Sequence, residues 1–89
     1  HERGQETVGV QRFLVKGRVQ RWPSRAEDKD ALLRWIITES IAESERLAES
    51  ELNDRIRRYT EDPALVRRYG VDFGMLRRDP ATQIYYLSQ

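Results

Sequence analysis

Arginine carries most of the chemistry open to this chain. Fourteen of its 16 basic side chains are Arg, whose planar fork of donors suits two-point contact with phosphate or carboxylate. Acids are nearly as many, 15 Asp and Glu, leaving a formal net charge of +1. Any preference for a polyanion must therefore come from the layout of charge rather than its total. The layout is uneven. Arg12, Lys16, Arg18, Arg21 and Arg25 fall between Val10 and Ala26 with no acid among them, eight acids against three bases run from Glu27 to Glu51, and seven Arg against three acids run from Arg55 to Arg78. Catalytic groups are scarce by comparison. The one His is residue 1 and there is no Cys, which removes Ser-His-Asp and Cys-His arrangements, thiolate metal cages and disulfides. The carboxylates are scattered among Arg, with no pair set in an apolar patch that would separate their pKa values. Glu49, Glu51 and Asn53 are spread round a helix rather than gathered for a metal, and no Gly-rich phosphate loop occurs. No metal, no cofactor and no enzymatic activity are expected.

The elements that must position these groups are those of one small domain. Eighty-nine residues, 38% hydrophobic and 35% charged, with two Trp, two Phe and four Tyr, suit a single compact α+β unit with a marginal core. No apolar run approaches the ~18–20 residues of a membrane span and no signal-peptide pattern opens the chain, so a cytoplasmic location is expected. A chain opening on His1 is expected to start inside a longer reading frame, with residues 1–9 a flexible tail and 10–89 the domain.

Val10, Phe13 and Leu14 fit a short helix stopped by Gly17. Pro23 pushes Trp22 out of the helical region, and Trp22 is expected in the core rather than as a stacking platform. Ser24 is the expected cap of a helix from about Arg25 to Glu39, whose Leu32, Leu33, Trp35, Ile36 and Ile37 share one arc. Ser40 to Ala48 is either its extension or a loop. A second helix starts near Glu49, with Leu52, Ile56 and Tyr59 in a stripe and two i, i+4 pairs, Glu51 with Arg55 and Asp54 with Arg58; Arg57 alone has none. Asp62-Pro63 opens a last helix with Leu65, Val66, Tyr69 and Phe73 on its apolar face and its end at Gly74. Gly70 inside it costs about 1 kcal/mol relative to Ala, so a kink or early end is expected. Two strand-like runs, 75–78 and 83–87, flank an Asp79-Pro80 turn and make a β-hairpin. Three to four helices followed by a hairpin is the plan of a winged helix-turn-helix.

The residues themselves carry a resemblance. Arg12-Phe13-Leu14, Gly17-Arg18-Val19 and Trp22-Pro23-Ser24-Arg25, then Glu49-Ser50-Glu51-Leu52-Asn53, then Asp62, Ala64, Val66-Arg67-Arg68, Val71-Asp72, Gly74, Leu76, Arg78 and Tyr85 resemble the prokaryotic "domain of unknown function 2087" family over residues 10–87. The resemblance implies a small winged-helix-like domain, found alone or behind an ArsR-type helix-turn-helix domain in proteins labelled transcriptional regulators, with no biochemical activity attached. Three positions depart from the family's pattern. Ala48 stands where a hydroxyl residue would cap the second helix, Tyr69-Gly70 replaces a Glu-Leu pair, and Arg77 replaces an acid or neutral residue.

On this basis a double-stranded DNA interface is expected on the last helix and the hairpin wing. Ala64, Arg67, Arg68 and Val71 form the face offered to the major groove. Arg68 is expected to pair with Asp72 and Arg67 to be the freer of the two. Arg57, Arg77, Arg78 and the basic block, with Arg18, Arg21 and Arg25, would lie along phosphates. The rival is a winged-helix protein-interaction or dimerisation module, contacting a second copy or another regulator through the acidic block from Glu27 to Glu51. A charge of +1 is small for a nucleic-acid binder, which favours the rival. A small-molecule sensor would need an apolar pocket that so small a core can hardly spare.

Overall fold

The structure, a computed structural model, describes residues 12–88. The expected tail 1–9 and Val10 lie outside them. In chain order the elements are β1 Leu14–Val15, β2 Arg18–Val19, α1 Ala26–Ser40, β3 Leu47–Ala48, α2 Glu49–Ile56, α3 Pro63–Asp72, β4 Leu76–Arg78 and β5 Ile84–Leu87. They make a small α+β domain with three helices and two antiparallel sheets among the described residues.

The short helix expected around Phe13 and Leu14 is replaced, within the described residues, by a tight hairpin. Lys16 at φ 55° and Gly17 at φ 80° both take the left-handed conformation, the pairing that two-residue hairpin turns require. Leu14 faces Val19 and Val15 faces Arg18. Gly17 is a turn residue, not a helix stop.

Helix α1 lies one residue from its expected span. Leu32, Leu33, Ile36 and Ile37 are buried, and half-buried Trp35 meets Tyr59 edge-on with ring centroids 5.2 Å apart. Ser24 does not cap it. Arg25 holds the N-cap position in extended conformation with no side-chain hydrogen bond, and Glu27 and Asp28 in the first turn complement the helix dipole instead. After Ile41 the chain leaves the helix, which decides the Ser40–Ala48 alternatives in favour of a loop that ends in β3. That loop is fastened by Arg55. Its Nη1 donates to Glu45 Oε1 at 2.7 Å and to the Ser40 carbonyl at 3.2 Å, while the Ala42 amide donates to the same Glu45 oxygen at 2.9 Å.

Strand β3, two residues long and invisible to a periodicity argument, joins the expected hairpin to make a three-stranded sheet in the order β3-β5-β4. Leu47 pairs with Tyr85, and Arg78 pairs with Tyr85 from the other side. Helix α2 stops at Ile56, so Tyr59 sits in the following turn, its amide donating to the Ile56 carbonyl at 2.8 Å. The first hairpin docks on that turn, where the Val19 amide donates to the Tyr59 carbonyl at 2.6 Å and Arg18 Nη1 to the Arg57 carbonyl at 2.5 Å. Ala48 caps α2 without a side-chain bond.

Helix α3 begins as its sequence predicts. Asp62 Oδ1 accepts from the Leu65 amide at 3.2 Å and Pro63 opens the first turn. It ends two residues before Gly74, which follows with φ 79°. The buried stripe, however, is Pro63, Val66 and Gly70, not Leu65, Tyr69 and Phe73. Phe73 is 58% exposed, and Leu65 and Tyr69 are only half-buried. The helix is rotated by most of one ~100° residue step. Gly70 is the cause. A Cβ there would stand 2.8 Å from Leu76 Cδ1 and 2.9 Å from Ile37 Cδ1, so α3 packs against α1 and β4 at van der Waals range with no side chain between. Neither a kink nor an early end occurs there, because packing offsets the helix cost of glycine.

Two outcomes follow. Gly70→Leu is expected to destabilise the fold by about 2–3 kcal/mol through overpacking; Gly70→Ala should fall closer to neutral, since about 1 kcal/mol of helix preference opposes the smaller clash. Urea midpoints measure both. The hydrogen bond from Arg55, reinforced by the Ala42 amide, holds the Glu45 carboxyl below its ordinary value of 4.5. A depressed carboxylate stabilises the fold above the unfolded pKa and loses that contribution as pH falls through the folded value. Glu45→Gln is therefore expected to flatten the fall of stability on acidification below pH 4.5, read as urea midpoints against pH.

Candidate nucleic-acid interface

The groups assembled where α3 meets the sheet begin with Arg67. As neighbour to the Val66–Gly70 stripe it is carried to the flank of the buried face, and its side chain is 16% exposed. Its Nε donates to Asn53 Oδ1 of α2 at 2.8 Å. Its Nη1 reaches Tyr85 Oη of β5 at 3.4 Å and lies 3.6 Å from Glu49 Oε1 at the start of α2. Tyr85 in turn donates to the same Glu49 oxygen at 3.3 Å. The Asn53 bond is the short one; the others are long and weak by geometric standards. One guanidinium thus links two helices and the middle strand of the sheet. Burial, the largest influence, pushes the Tyr85 hydroxyl pKa up, against the opposing pull of the Arg67 charge.

Above this bracket opens a cleft of about 600 Å³, between α3, the start of α2 and the hairpin. Arg67, Arg68 and Arg78 line it, but so do Glu49, Asp62 and Asp72, so its field is mixed rather than strongly positive. Arg68 stands on the outer face of α3 with Ala64 and Val71, all three exposed. The expected Arg68–Asp72 pair does not form among the described residues; seven other ion pairs do. The expectation that Arg67 is the freer arginine is thus reversed. The rotation of α3 about its axis explains it: the aromatic residues suggest one apolar face, whereas the buried stripe contains a glycine.

Strand β4 lies at the sheet edge, and both its arginines are exposed. Arg78 borders the cleft, while Arg77 Nε donates to Ser88 Oγ at 3.4 Å. Arg57 was expected to lack a partner; it pairs with Asp54 at 2.9 Å. The expected Asp54–Arg58 pair is absent among the described residues because α2 ends at Ile56, so the i, i+4 spacing runs past the helix. Glu51 and Arg55 do meet, at 3.4 Å.

The basic block near the N-terminus does not join this face. Arg18 is spent on the Arg57 carbonyl, Arg25 pairs with Glu27 at 3.2 Å, and Arg21 and Arg25 border a separate cleft beside Trp22. Trp22 packs against the core as expected, though only half-buried. Sequence reasoning missed the roles of Asn53 and Tyr85. The available signal was Gly70, which in mid-helix marks a close approach and so fixes which flanking residues turn inward. Among the described residues, no group of three or more His, Asp or Glu converges as a metal site, and no helix is long and apolar enough to cross a membrane.

A family described as an uncharacterized protein conserved in bacteria (DUF2087) matches residues 18–87 of the chain. No curated protein and no solved structure matches it. If Arg67 braces the domain, Arg67→Ala is expected to cost about 1–3 kcal/mol, the loss of hydrogen bonds to a charged group that leaves Asn53 and Glu49 short of partners. Arg68→Ala, one residue away but exposed, should change stability by no more than about 0.5 kcal/mol. Denaturant midpoints of the two variants distinguish the roles.

Proposed function

The chain belongs to the DUF2087 family of bacterial proteins, and from that premise we propose that it is a winged-helix domain of a transcriptional regulator that binds double-stranded DNA through α3 and the β4–β5 hairpin. The observation that carries the reading is the outer face of α3. Ala64 and Val71 flank Arg68 there with little bulk, beside the hairpin, whose exposed Arg78 lines the same cleft while exposed Arg77 projects from the opposite face of the strand. A helix entering the major groove needs such a face: small side chains let it approach, and one long guanidinium reaches a base edge or phosphate. The order of elements also supports it. After the first hairpin come a helix, a short strand, two helices and a second hairpin, with the short strand completing that hairpin's sheet, an order that a winged helix would share.

In this reading Arg68 enters the groove, Arg77, Arg78 and Arg57 contact phosphates, and Arg67 fixes the angle between α3 and the wing. Arg57 must exchange Asp54 for phosphate, a surface pair worth little to lose. The domain works without cofactor or catalysis, in the bacterial cytoplasm. The alternative, a protein-interaction module, draws on one observation: Phe73 is 58% exposed beside Tyr69, with ring centroids 4.7 Å apart.

Titration into labelled random duplex tests the choice. The DNA reading expects binding at low salt with a log–log salt slope of about −2.7 to −3.6, near 0.9 for each of three or four neutralised phosphates. Arg78→Ala should lower that slope by about 1, and Arg68→Ala should weaken binding. No binding at low salt leaves the interaction module.

A further inference from the structure

A second cleft, of about 560 Å³, lies at the entry to α1 and shares no lining residue with the one beside α3. Phe13 and Trp22 line it together with Arg12, Arg21, Arg25 and Asp28. We propose that this cleft binds a single nucleoside di- or triphosphate, with the base against Trp22 and the phosphates on Arg21 and Arg25. The proposal is independent of duplex binding, which uses other residues.

The charges in the cleft are already sorted. Arg12 lies 3.3 Å from Asp28, whose side chain is 24% exposed, so this carboxylate is neutralised by its own partner. The Arg12 guanidinium also sits 4.9 Å from the centroid of the Phe13 ring, which occupies that aromatic. Trp22 is left as the aromatic wall with no cation over it among the described residues. Arg21 makes no ion pair among them. Arg25 holds only Glu27, at 3.2 Å with that carboxylate 84% exposed, a contact that a multiply charged phosphate displaces at little cost. One unoccupied indole beside two available guanidinium groups is a recognition set for one flat base joined to an anionic group.

Other ligands fit less well. Inorganic phosphate has no use for the indole, and an apolar ligand has none for three arginines. A single strand needs successive stacking platforms along a groove, whereas one indole is offered here. The volume lies in the range of small-ligand sites. Being a surface cleft, it leaves the buried aliphatic core intact, so the objection that a small core cannot spare a pocket does not apply.

Fluorescence provides the test. In a Trp35→Phe chain Trp22 is the sole indole, and ATP is expected to quench it saturably at micromolar to low millimolar concentration. Adenosine and inorganic phosphate alone should each bind at least about tenfold more weakly. Arg21→Gln, an exposed position, should weaken ATP about tenfold while leaving the thermal unfolding midpoint unchanged. Calorimetric titration of the unmodified chain with ATP supplies the same constant if Trp35→Phe fails to fold. No saturable binding at millimolar ATP overturns the proposal. So does equal binding of adenosine or phosphate, an Arg21→Gln affinity equal to the parent's, or a short single-stranded oligonucleotide that binds well while ATP does not.

Discussion

The contact at Gly70 governs the architecture. Three elements meet there, with the side chains of Ile37 from α1 and Leu76 from β4 seated directly against the backbone of α3. A helix that touches its neighbours at one side-chain-free position has its rotation decided by that position. Val66, one turn earlier, completes the buried line, and the identity of every other face follows from the 100° step between residues. The fully buried aliphatic residues of α1, with Leu52 and Ile56 of α2, then close around this junction as a single core.

From that rotation comes the division of labour between adjacent arginines. Arg67 is turned toward Asn53, Glu49 and Tyr85, and Arg68 toward solvent. Two residues identical in charge and propensity thereby acquire different roles. The inner one bridges α2, α3 and β5, so the placement of the hairpin beside α3 depends on it. The outer one is available to a ligand, together with the arginines of β4. Ion pairs remove charges of both signs in nearly equal number, so they leave the small net charge of +1 essentially unchanged, and any preference for a polyanion must come from where the exposed arginines stand.

The sequence was most informative where side-chain chemistry acts locally. The amphipathic arc of α1, the Asp62-Pro63 start of α3 and the turn between β4 and β5 are all dictated by neighbours within a few residues, and all lie near their expected places. Legibility failed where distant contacts decide. Strand β3 exists because Leu47 finds Tyr85 across the sheet, a partner 38 positions later in the chain. Gly17 looked like a helix end and is half of a left-handed turn, since the hairpin gains its worth from docking on the Tyr59 turn. The apolar face of α3 was drawn through Tyr69 and Phe73 because glycine adds nothing to a hydrophobic pattern, although its absence of a side chain was the informative feature. The juxtaposition of α3 and the hairpin was therefore legible in the sequence, while the roles of the two arginines on α3 are the reverse of those expected, Arg67 being braced inward and Arg68 exposed.

Nuclear magnetic resonance of the protein during addition of duplex DNA at low salt tests this picture most directly, because it reads the rotation of α3 and the binding face together. The account predicts a slowly exchanging Arg67 Nε–H that persists throughout, with amide shifts gathering at Ala64, Arg68, Val71, Arg77 and Arg78. An Arg67 signal that exchanges as fast as that of Arg68, or shifts gathered on the acidic segment from Glu27 to Glu51, would contradict it.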